Sequence, residues 1–532
     1  MPRRVHAWMV APAALLVAAV VHMRVWVFLC DDAFISFRYA RNLSQHGALV
    51  FNYVEPPELV EGYTNFLWVV TLAIGGRLGA RPEALAPWLT QLGALAGLWL
   101  VCEVVRRLRG AGWSLAGWIP AALLVACPEF MVWGHGGLET STAAALALAA
   151  MAATASRRWR TAGLLTALAG LTRLDALVPV GLFVATWLLV HGRKDWPGWR
   201  ALLQAGALVV GLLGAHFLWR RAYYGAWWPN TWLIKQAGVS LRETWGVWYV
   251  GAWASAVKAW VVAPLLPWLR WRHAVLVVPL LGSVAYAWAV GGDFMAYGRF
   301  LIVATALLAG LVGWLLVDAG AWVRLKIIKI NRVPVAELVA IGLAGALAMQ
   351  ARERWQADRR QPAGWLEGRW EGVTAMDRFA RERVHVGRWM REHLPEGTWL
   401  TVGAAGALPY ASGLPVVDVY GLVDPWPRRV AELRASPRGR PGHQVMAPLA
   451  ELRARDPSLY CHVGHVGAKR PSAASIPGRG LGPGYAWACV EPGPVSDARE
   501  PGGVLDLGFY CCLRPVGRVV GPFGAPDEER GR

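Results

Sequence analysis

Charge is the scarce property of this chain. Only 17% of its 532 residues are charged, against 55% hydrophobic, which is too little for an ordinary soluble protein of this length. Negative charge is scarcer still, with 35 Asp and Glu against 54 Lys and Arg and a formal net charge of +19. The seven cysteines, Cys30, Cys102, Cys127, Cys461, Cys489, Cys511 and Cys512, have no metal-ligand spacing, which argues against a zinc module. Four lie near the C-terminus, where disulfides in an oxidising compartment and unpaired burial both stay open. There is no Walker A loop, nucleophile elbow, His-Glu-x-x-His pair or dinucleotide fingerprint, so those nucleotide- and metal-dependent chemistries have no sequence support. No Gly-rich RNA motif or basic amphipathic arm accompanies the excess of arginine, and no nucleic-acid partner is expected. No internal repeat is evident.

Long apolar runs and 32 Trp are what the chain has instead. Runs of about 20 apolar residues indicate a polytopic α-helical membrane protein, and the Trp suit interfacial belts. Arg3 and Arg4 put the N-terminus in the cytoplasm. The first run is too long for a signal-peptide core and is expected to stay as an anchor. Eleven crossings are expected, at about 8–29, 84–105, 114–132, 138–155, 161–173, 175–191, 200–219, 245–266, 273–290, 299–318 and 333–350. The apolar run at 64–79 is excluded from that count. A crossing there would carry Arg106, Arg107 and Arg109 outside, against the positive-inside rule, so it is expected as an interfacial helix. The arrangement has the N-terminus in and the C-terminus out. Residues 1–350 form the transmembrane domain, with a first outer loop at 30–83. Residues 351–532 form an extracytoplasmic α/β or α+β domain, with a helix at 374–394, strands at 398–402 and 415–420, and a helix or turn opened by Gly403-Ala-Ala-Gly-Ala.

This topology gathers the unusual loops on one face. They are Cys30-Asp-Asp to Tyr63-Thr-Asn, Gly136-Gly-Leu-Glu-Thr, Thr172-Arg-Leu-Asp, Tyr223-Tyr-Gly-Ala-Trp-Trp-Pro-Asn-Thr-Trp-Leu-Ile-Lys and Gly291-Gly-Asp-Phe-Met-Ala-Tyr-Gly-Arg-Phe. The loops assigned to the cytoplasm are short and basic. Asp31 and Asp32 sit where the first span ends. A carboxylate there can act as general base on an acceptor hydroxyl, and two together can share a divalent cation. The sequence leaves the metal question open. Arg38, Arg41, Lys235 and Arg299 lie near the same face, where guanidinium and ammonium groups suit a phosphate. Asp293 and Glu139 are further carboxylates at span mouths. Trp228 beside Asn230 offers an aromatic face and a hydroxyl-binding amide for a sugar. Glu61, Tyr63 and Asn65 complete a set expected to shape a sugar or acceptor site. An outward-facing site has no access to cytoplasmic nucleotides, so its activated substrate must arrive in the bilayer, as a polyprenyl-phosphate carrier does.

Asp31-Asp-Ala-Phe-Ile-Ser-Phe-Arg-Tyr-Ala-Arg-Asn-Leu, Leu49-Val-Phe-Asn and Val60-Glu-Gly-Tyr-Thr-Asn-Phe-Leu-Trp together resemble the bacterial GT-C superfamily, in the branch of the mycobacterial terminal β-(1→2)-arabinofuranosyltransferase. Gly137-Leu-Glu-Thr, Pro229-Asn-Thr-Trp-Leu-Ile-Lys, Gly291-Gly-Asp-Phe-Met and Gly421-Leu-Val-Asp are similar to the same branch. The resemblance implies a long first outer loop with interfacial helices. It also implies transfer of a sugar from a polyprenyl-phosphate donor to an envelope glycan, lipid or protein, with a first-loop Asp as base: Asp31 first, Asp32 second. The sugar would be arabinofuranose or another pentose or hexose. The enzyme would sit in the cytoplasmic (inner) membrane with its site outside. Two rival classes remain. A lipid-linked sugar transporter requires charges deep in several spans and inverted repeats, and neither is visible. A non-catalytic envelope-assembly protein requires an outer domain that binds glycan alone and a dispensable acidic pair.

Overall fold

The structure is a computed structural model and describes residues 7–237, 242–325, 334–360, 365–366, 370–436, 442–476, 480–500 and 502–523. Its first half begins with α1 (Ala7–Val25), α2 (Asp31–His46), α3 (Phe66–Arg77) and α4 (Pro82–Arg109), and continues with α5 (Ile119–Val125), α6 (Pro128–Met131), α7 (Thr140–Ala155) and α8 (Trp159–Thr172). The membrane half is completed by α9 (Leu177–Asp195), α10 (Trp199–Tyr224), α11 (Asn230–Ala237), α12 (Arg242–Ala256), α13 (Ala274–Ala289), α14 (Ile302–Val323) and α15 (Val335–Arg360). Local chemistry sets the ends. Asp31 and Asp32 occupy the first turn of α2, where the helix dipole favours acids, and Gly47 closes it in the left-handed conformation at φ 71°. Pro82 opens α4, and Arg106, Arg107 and Arg109 fill its last turn.

Among the described residues, six segments are long and apolar enough to cross a membrane: Pro82–Arg109, Leu174–Gly192, Trp199–Tyr224, Trp271–Ala289, Arg299–Val323 and Val335–Arg360. Two pairs bent by 79° and 70°, Leu115–Val125 with Pro128–Gly134 and Thr244–Ala256 with Ala259–Trp268, raise this to eight. Helices also occupy the three other expected crossings, but Val10–Val25, Thr140–Ala155 and Trp159–Thr172 fall short of that length. The central post is α14, buried along nearly its whole length, whereas the apolar face of α10 lies open on the outside of the bundle. The stretch expected at 64–79 as a non-crossing helix is α3, twelve residues long and packed on α2.

The expected domain boundary at 351 falls inside a continuous helix, because α15 runs on to Arg360. A hairpin of β1 (Trp365–Leu366) and β2 (Trp370–Glu371) follows. Glu371 of β2 bonds through its backbone to Phe294 and Ala296, fastening the hairpin to the Gly-Gly-Asp turn. The C-terminal domain then contains α16 (Val373–His393), β3 (Leu400–Val402), α17 (Ala407–Ser412), β4 (Val416–Asp418), α18 (Leu449–Arg453), β5 (Leu459–Gly467), β6 (Tyr485–Val490), β7 (Val495–Ser496), β8 (Val504–Leu505) and β9 (Phe509–Pro515). Five strands form a mixed sheet in the order β4-β3-β5-β9-β6. β3 is parallel to both its neighbours, and β9 is antiparallel to both of its own. The adjacent Cys511 and Cys512 of β9 bond to opposite neighbours, Cys489 of β6 and Cys461 of β5. Successive side chains on a strand point to opposite faces, so one dipeptide ties three strands.

The domain is bound tightly to the first outer loop. Asn52 exchanges hydrogen bonds with the backbone of Val416, at 2.8 and 3.1 Å. Arg455 bridges Glu58 and Asp424, at 2.6 Å each. A Cβ on Gly62 would lie 2.5 Å from Val423 Cγ1 and 2.7 Å from the Leu422 carbonyl. The Val60-Glu-Gly-Tyr motif therefore meets Gly421-Leu-Val-Asp at a contact that only glycine permits.

Candidate active site

A cavity of about 830 Å³ lies between the helix bundle and the C-terminal domain. It is lined from the membrane half by Asp31, Asp32, Tyr63, Asn65, Glu139, Arg173, Asp175, Trp228, Trp232, Lys235, Asp293, Arg299 and Phe300, among others. The acidic pair, the aromatic loop after α10 and the Gly-Gly-Asp turn, far apart in sequence, thus share one space.

Positive charge is concentrated at one ring. The Arg173, Arg299 and Lys235 cations lie 5.2, 5.5 and 5.8 Å from the centroid of Phe300, within cation–π range. They come from the end of α8, the turn before α14 and α11. Each is set by its neighbours. Arg173 bonds Glu139 at 2.9 Å and both oxygens of Asp175 at 3.0 and 2.9 Å. Asn65 donates to the other Glu139 oxygen at 2.6 Å and to Ser36 at 3.0 Å. Arg299 is ion-paired to Asp293, and its other arm lies 3.9 Å from Asp32. Burial, followed by the charge of Arg299, holds the Lys235 ammonium below its ordinary pKa, with Asp293 opposing. The charges of Arg299 and Arg173 crowd Lys235, and an added anion would offset them.

The two acids differ. Both Asp31 oxygens accept backbone N–H groups of the C-terminal domain, from Gly406 at 3.1 Å and Ala407 at 2.8 Å. A Cβ on Gly406 would lie 1.9 Å from the Asp31 carbonyl. Burial pushes the Asp31 carboxyl up to about 6, with the charge of Asp32 adding to the rise and the N–H bonds opposing it. The Asp32 side chain is 39% exposed at the cavity. Tyr63 is buried, with its hydroxyl 3.1 Å from that of Tyr224. Trp228 and Trp232 are stacked at 4.9 Å and half exposed.

Four residues expected in the site lie behind it. Arg38 does not reach the cavity. Its guanidinium donates to the carbonyls of Phe51, Pro409 and Leu414 at 2.8, 2.5 and 2.9 Å and lies over the Phe51 ring. Arg41 donates to the Tyr410 carbonyl at 2.8 Å and stacks on that ring. Both arginines join α2 to the C-terminal domain. The side of α2 that carries both arginines faces the C-terminal domain, which holds Asp31 as well. Glu61 is fully buried and bonds Arg220 at 2.6 Å. It is Arg220 that lines the cavity. Asn230 is buried and donates to the Gly421 and Asp424 carbonyls at 3.0 and 2.6 Å, leaving neighbouring Trp228, Pro229 and Thr231 on the wall.

The fold has known counterparts. ArnT from Cupriavidus metallidurans bound to undecaprenyl phosphate superposes with a TM-score of 0.51 at 14% identity, covering 98% of this chain and 99% of that one. The apo form of the same protein gives 0.48 at 17% identity, covering 77% and 85%. Arabinosyltransferase EmbB from Mycobacterium smegmatis gives 0.35 at 15% identity, covering 78% and 41%. These are GT-C glycosyltransferases.

The chain has the GT-C fold. These likenesses show the fold alone and do not test the arabinosyltransferase branch. Residues 374–478 match a domain of unknown function, DUF8728. No curated protein matches the sequence. Among the described residues no three His, Cys, Asp or Glu side chains converge in a way that could hold a metal ion.

Sequence reasoning missed most of the C-terminal wall: Arg383, Gly403 to Ala405, Asp418, Tyr420, His443, Gln444, His462 and His465. Asp418 and Tyr420 directly precede Gly421-Leu-Val-Asp, so that motif was a usable pointer. The histidines stand in loop-rich sequence with no pattern of their own. Phe300, on which the cations converge, closed a motif that was read for its charges.

Proposed function

We propose that this protein is a membrane glycosyltransferase that moves a sugar from a polyprenyl-phosphate donor to a hydroxyl of an envelope glycan, lipid or protein outside the cytoplasmic membrane. The observation that carries the reading is the convergence of Arg173, Lys235 and Arg299 on Phe300, with Asp32 3.9 Å from Arg299. A leaving phosphate needs fixed cations, and an acceptor hydroxyl needs a nearby base. The GT-C fold, seen in an ArnT bound to undecaprenyl phosphate, supports the same assignment. Paired cysteines in the C-terminal domain favour an oxidising compartment and hence an outer location.

In this mechanism Asp32 takes the proton of the acceptor hydroxyl. The acceptor oxygen forms a bond to the anomeric carbon as the bond from that carbon to the donor phosphate oxygen breaks. The electron pair stays on the phosphate, whose charge Lys235 and Arg299 stabilise. Asp293 orients Arg299, and Glu139 with Asp175 orients Arg173. Asp31, with both oxygens held by the C-terminal domain, fixes the start of α2 and therefore the position of Asp32. Geometry thus favours Asp32 over Asp31 as the base. Trp228, Tyr63 and Asn65 shape the sugar pocket, with Glu61 and Asn230 setting its walls from behind. The stacked Trp228 and Trp232 suit the first part of a polyprenyl chain. The sugar is a pentose or hexose, and arabinofuranose is the one to which the first-loop motif points.

Mass spectrometry of envelope glycans tests the reading. Cells lacking the gene should lose one glycosyl modification, and the wild-type gene should restore it. A gene carrying Asp31→Asn and Asp32→Asn, expressed at the same level, should not. Full restoration by the double variant would refute the proposal.

A further inference from the structure

The cavity has two chemically different sides. The membrane side supplies the cations. The side built by the C-terminal domain instead mixes hydrogen-bond donors and acceptors with aromatic rings, chiefly Asp418, Tyr420, His443, Gln444 and His462. All five lie within 374–478, the stretch that matches a domain of unknown function. We propose that this wall is the acceptor subsite, that it takes an uncharged, hydroxyl-rich sugar ring, and that supplying it is the work of this domain. The proposal deepens the glycosyltransferase reading and rests on it.

Three observations carry it. First, His443 stands edge-on to two rings, Tyr420 with centroids 4.8 Å apart and Phe294 at 5.1 Å. The result is an aromatic ledge that joins the domain to the Gly-Gly-Asp turn, and such surfaces pack on the C–H face of a sugar. Second, Thr401 bonds His462 Nδ1 at 2.6 Å. That contact fixes the ring and leaves Nε2 as its second hydrogen-bonding atom. Burial holds His462 down to about 4, so the imidazole meets a ligand uncharged. Third, the 403–405 backbone on this wall runs directly into Gly406 and Ala407, whose N–H groups hold Asp31. A ring bound here lies next to the acidic pair, where its hydroxyl must give up a proton. Arg383, which lines the cavity from this side, lies over the Phe379 ring at 4.3 Å and within electrostatic reach of Asp31.

Saturation-transfer NMR on the full-length protein in detergent provides the test. The probes are methyl α-D-mannopyranoside, methyl α-D-glucopyranoside, methyl α-D-arabinofuranoside and the charged methyl α-D-glucuronide. In parallel, native mass spectrometry follows undecaprenyl phosphate. At least one neutral glycoside should receive saturation. His443→Ala and His462→Ala should weaken it roughly three- to tenfold, the size of one lost hydrogen bond or ring contact. Tyr420→Trp should retain it, which separates loss of the ledge from loss of the fold. Undecaprenyl phosphate should bind all variants as it binds wild type. Binding of the glucuronide alone, no neutral binder, or histidine variants that bind like wild type would each overturn the inference. If wild type holds a neutral glycoside through this wall but does not hold undecaprenyl phosphate, the neutral-sugar site stands and the donor reading, with the acceptor role that rests on it, fails.

Discussion

Replacement of Arg38 by Met separates the two roles this residue could have. The Met side chain keeps much of the apolar stem but removes every donor. Three carbonyls, those of Phe51, Pro409 and Leu414, lose their guanidinium partner in a site where Arg38 is only 3% exposed. An unsatisfied buried acceptor costs about 1–3 kcal/mol. Because the three share one partner their costs do not simply add, and a total of roughly 3–5 kcal/mol is reasonable. A cooperative unit the size of the C-terminal domain that Arg38 ties down loses about 2–4 °C of melting temperature per kcal/mol. Arg38→Met should therefore lower the melting temperature of the purified protein by roughly ten degrees. Arg38→Lys should fall between, since an ammonium cannot span the same three acceptors. Binding of undecaprenyl phosphate, measured below the transition, should be retained. A variant that melts like wild type but no longer binds the lipid phosphate would refute the placement of Arg38 as a tie between α2 and the C-terminal domain.

Three further outcomes are expected. Lys235→Ala should weaken undecaprenyl phosphate binding roughly ten- to a hundredfold, the size of a charge-assisted contact, in a titration followed by native mass spectrometry. Asp418 is 1% exposed, and burial pushes its carboxyl up to about 7 despite N–H bonds from Tyr420 and Val423. A carboxyl raised in the folded state contributes stability that is complete at acid pH and lost as the pH rises toward 7. His462 acts in the opposite sense below about 6.5. The diagnostic is therefore the difference between wild type and Asp418→Asn in melting curves from pH 5 to 8, which should shrink the loss of stability on the alkaline side. Non-reducing peptide mapping should link the Cys461 and Cys489 peptides to the Cys511–Cys512 segment. Free thiols at those four positions in the mature protein would contradict an outer location for the domain.

Charge placement along the chain was legible because it answers to local rules. The run at 64–79 was read as a non-crossing helix from the arginines that follow it, and α3 is twelve residues long; the acids at the start of α2 were read from their position at the end of an apolar run. The carriers of Lys235, Asp293 and Arg299 were legible as polar groups in aromatic loops. What could not be read was which side of α2 meets which neighbour. Arg38 and Asp32 lie on the same helix, yet Asp32 faces the cavity and Arg38 donates to α17 and to Leu414 ahead of β4, more than 370 residues away in sequence. For the same reason Glu61 was separable from Tyr63 only once Arg220 was known to lie against it. The helix α15 runs across the expected edge at 351, because its polar end continues the apolar span without a break. The C-terminal wall was hidden because pairing of β4 and β5 on either side of β3 sets Asp418 and His462 in one sheet, and His443 joins them from outside the strands.

The proposed function requires that this cavity consume a lipid-linked sugar. Liquid chromatography with mass spectrometry of membrane lipids tests it most directly, comparing cells that express wild type, Asp32→Asn or no protein. A polyprenyl-phosphate monosaccharide should accumulate in the null and the Asp32→Asn cells and stay low with wild type. Identical lipid pools in all three strains would contradict the claim.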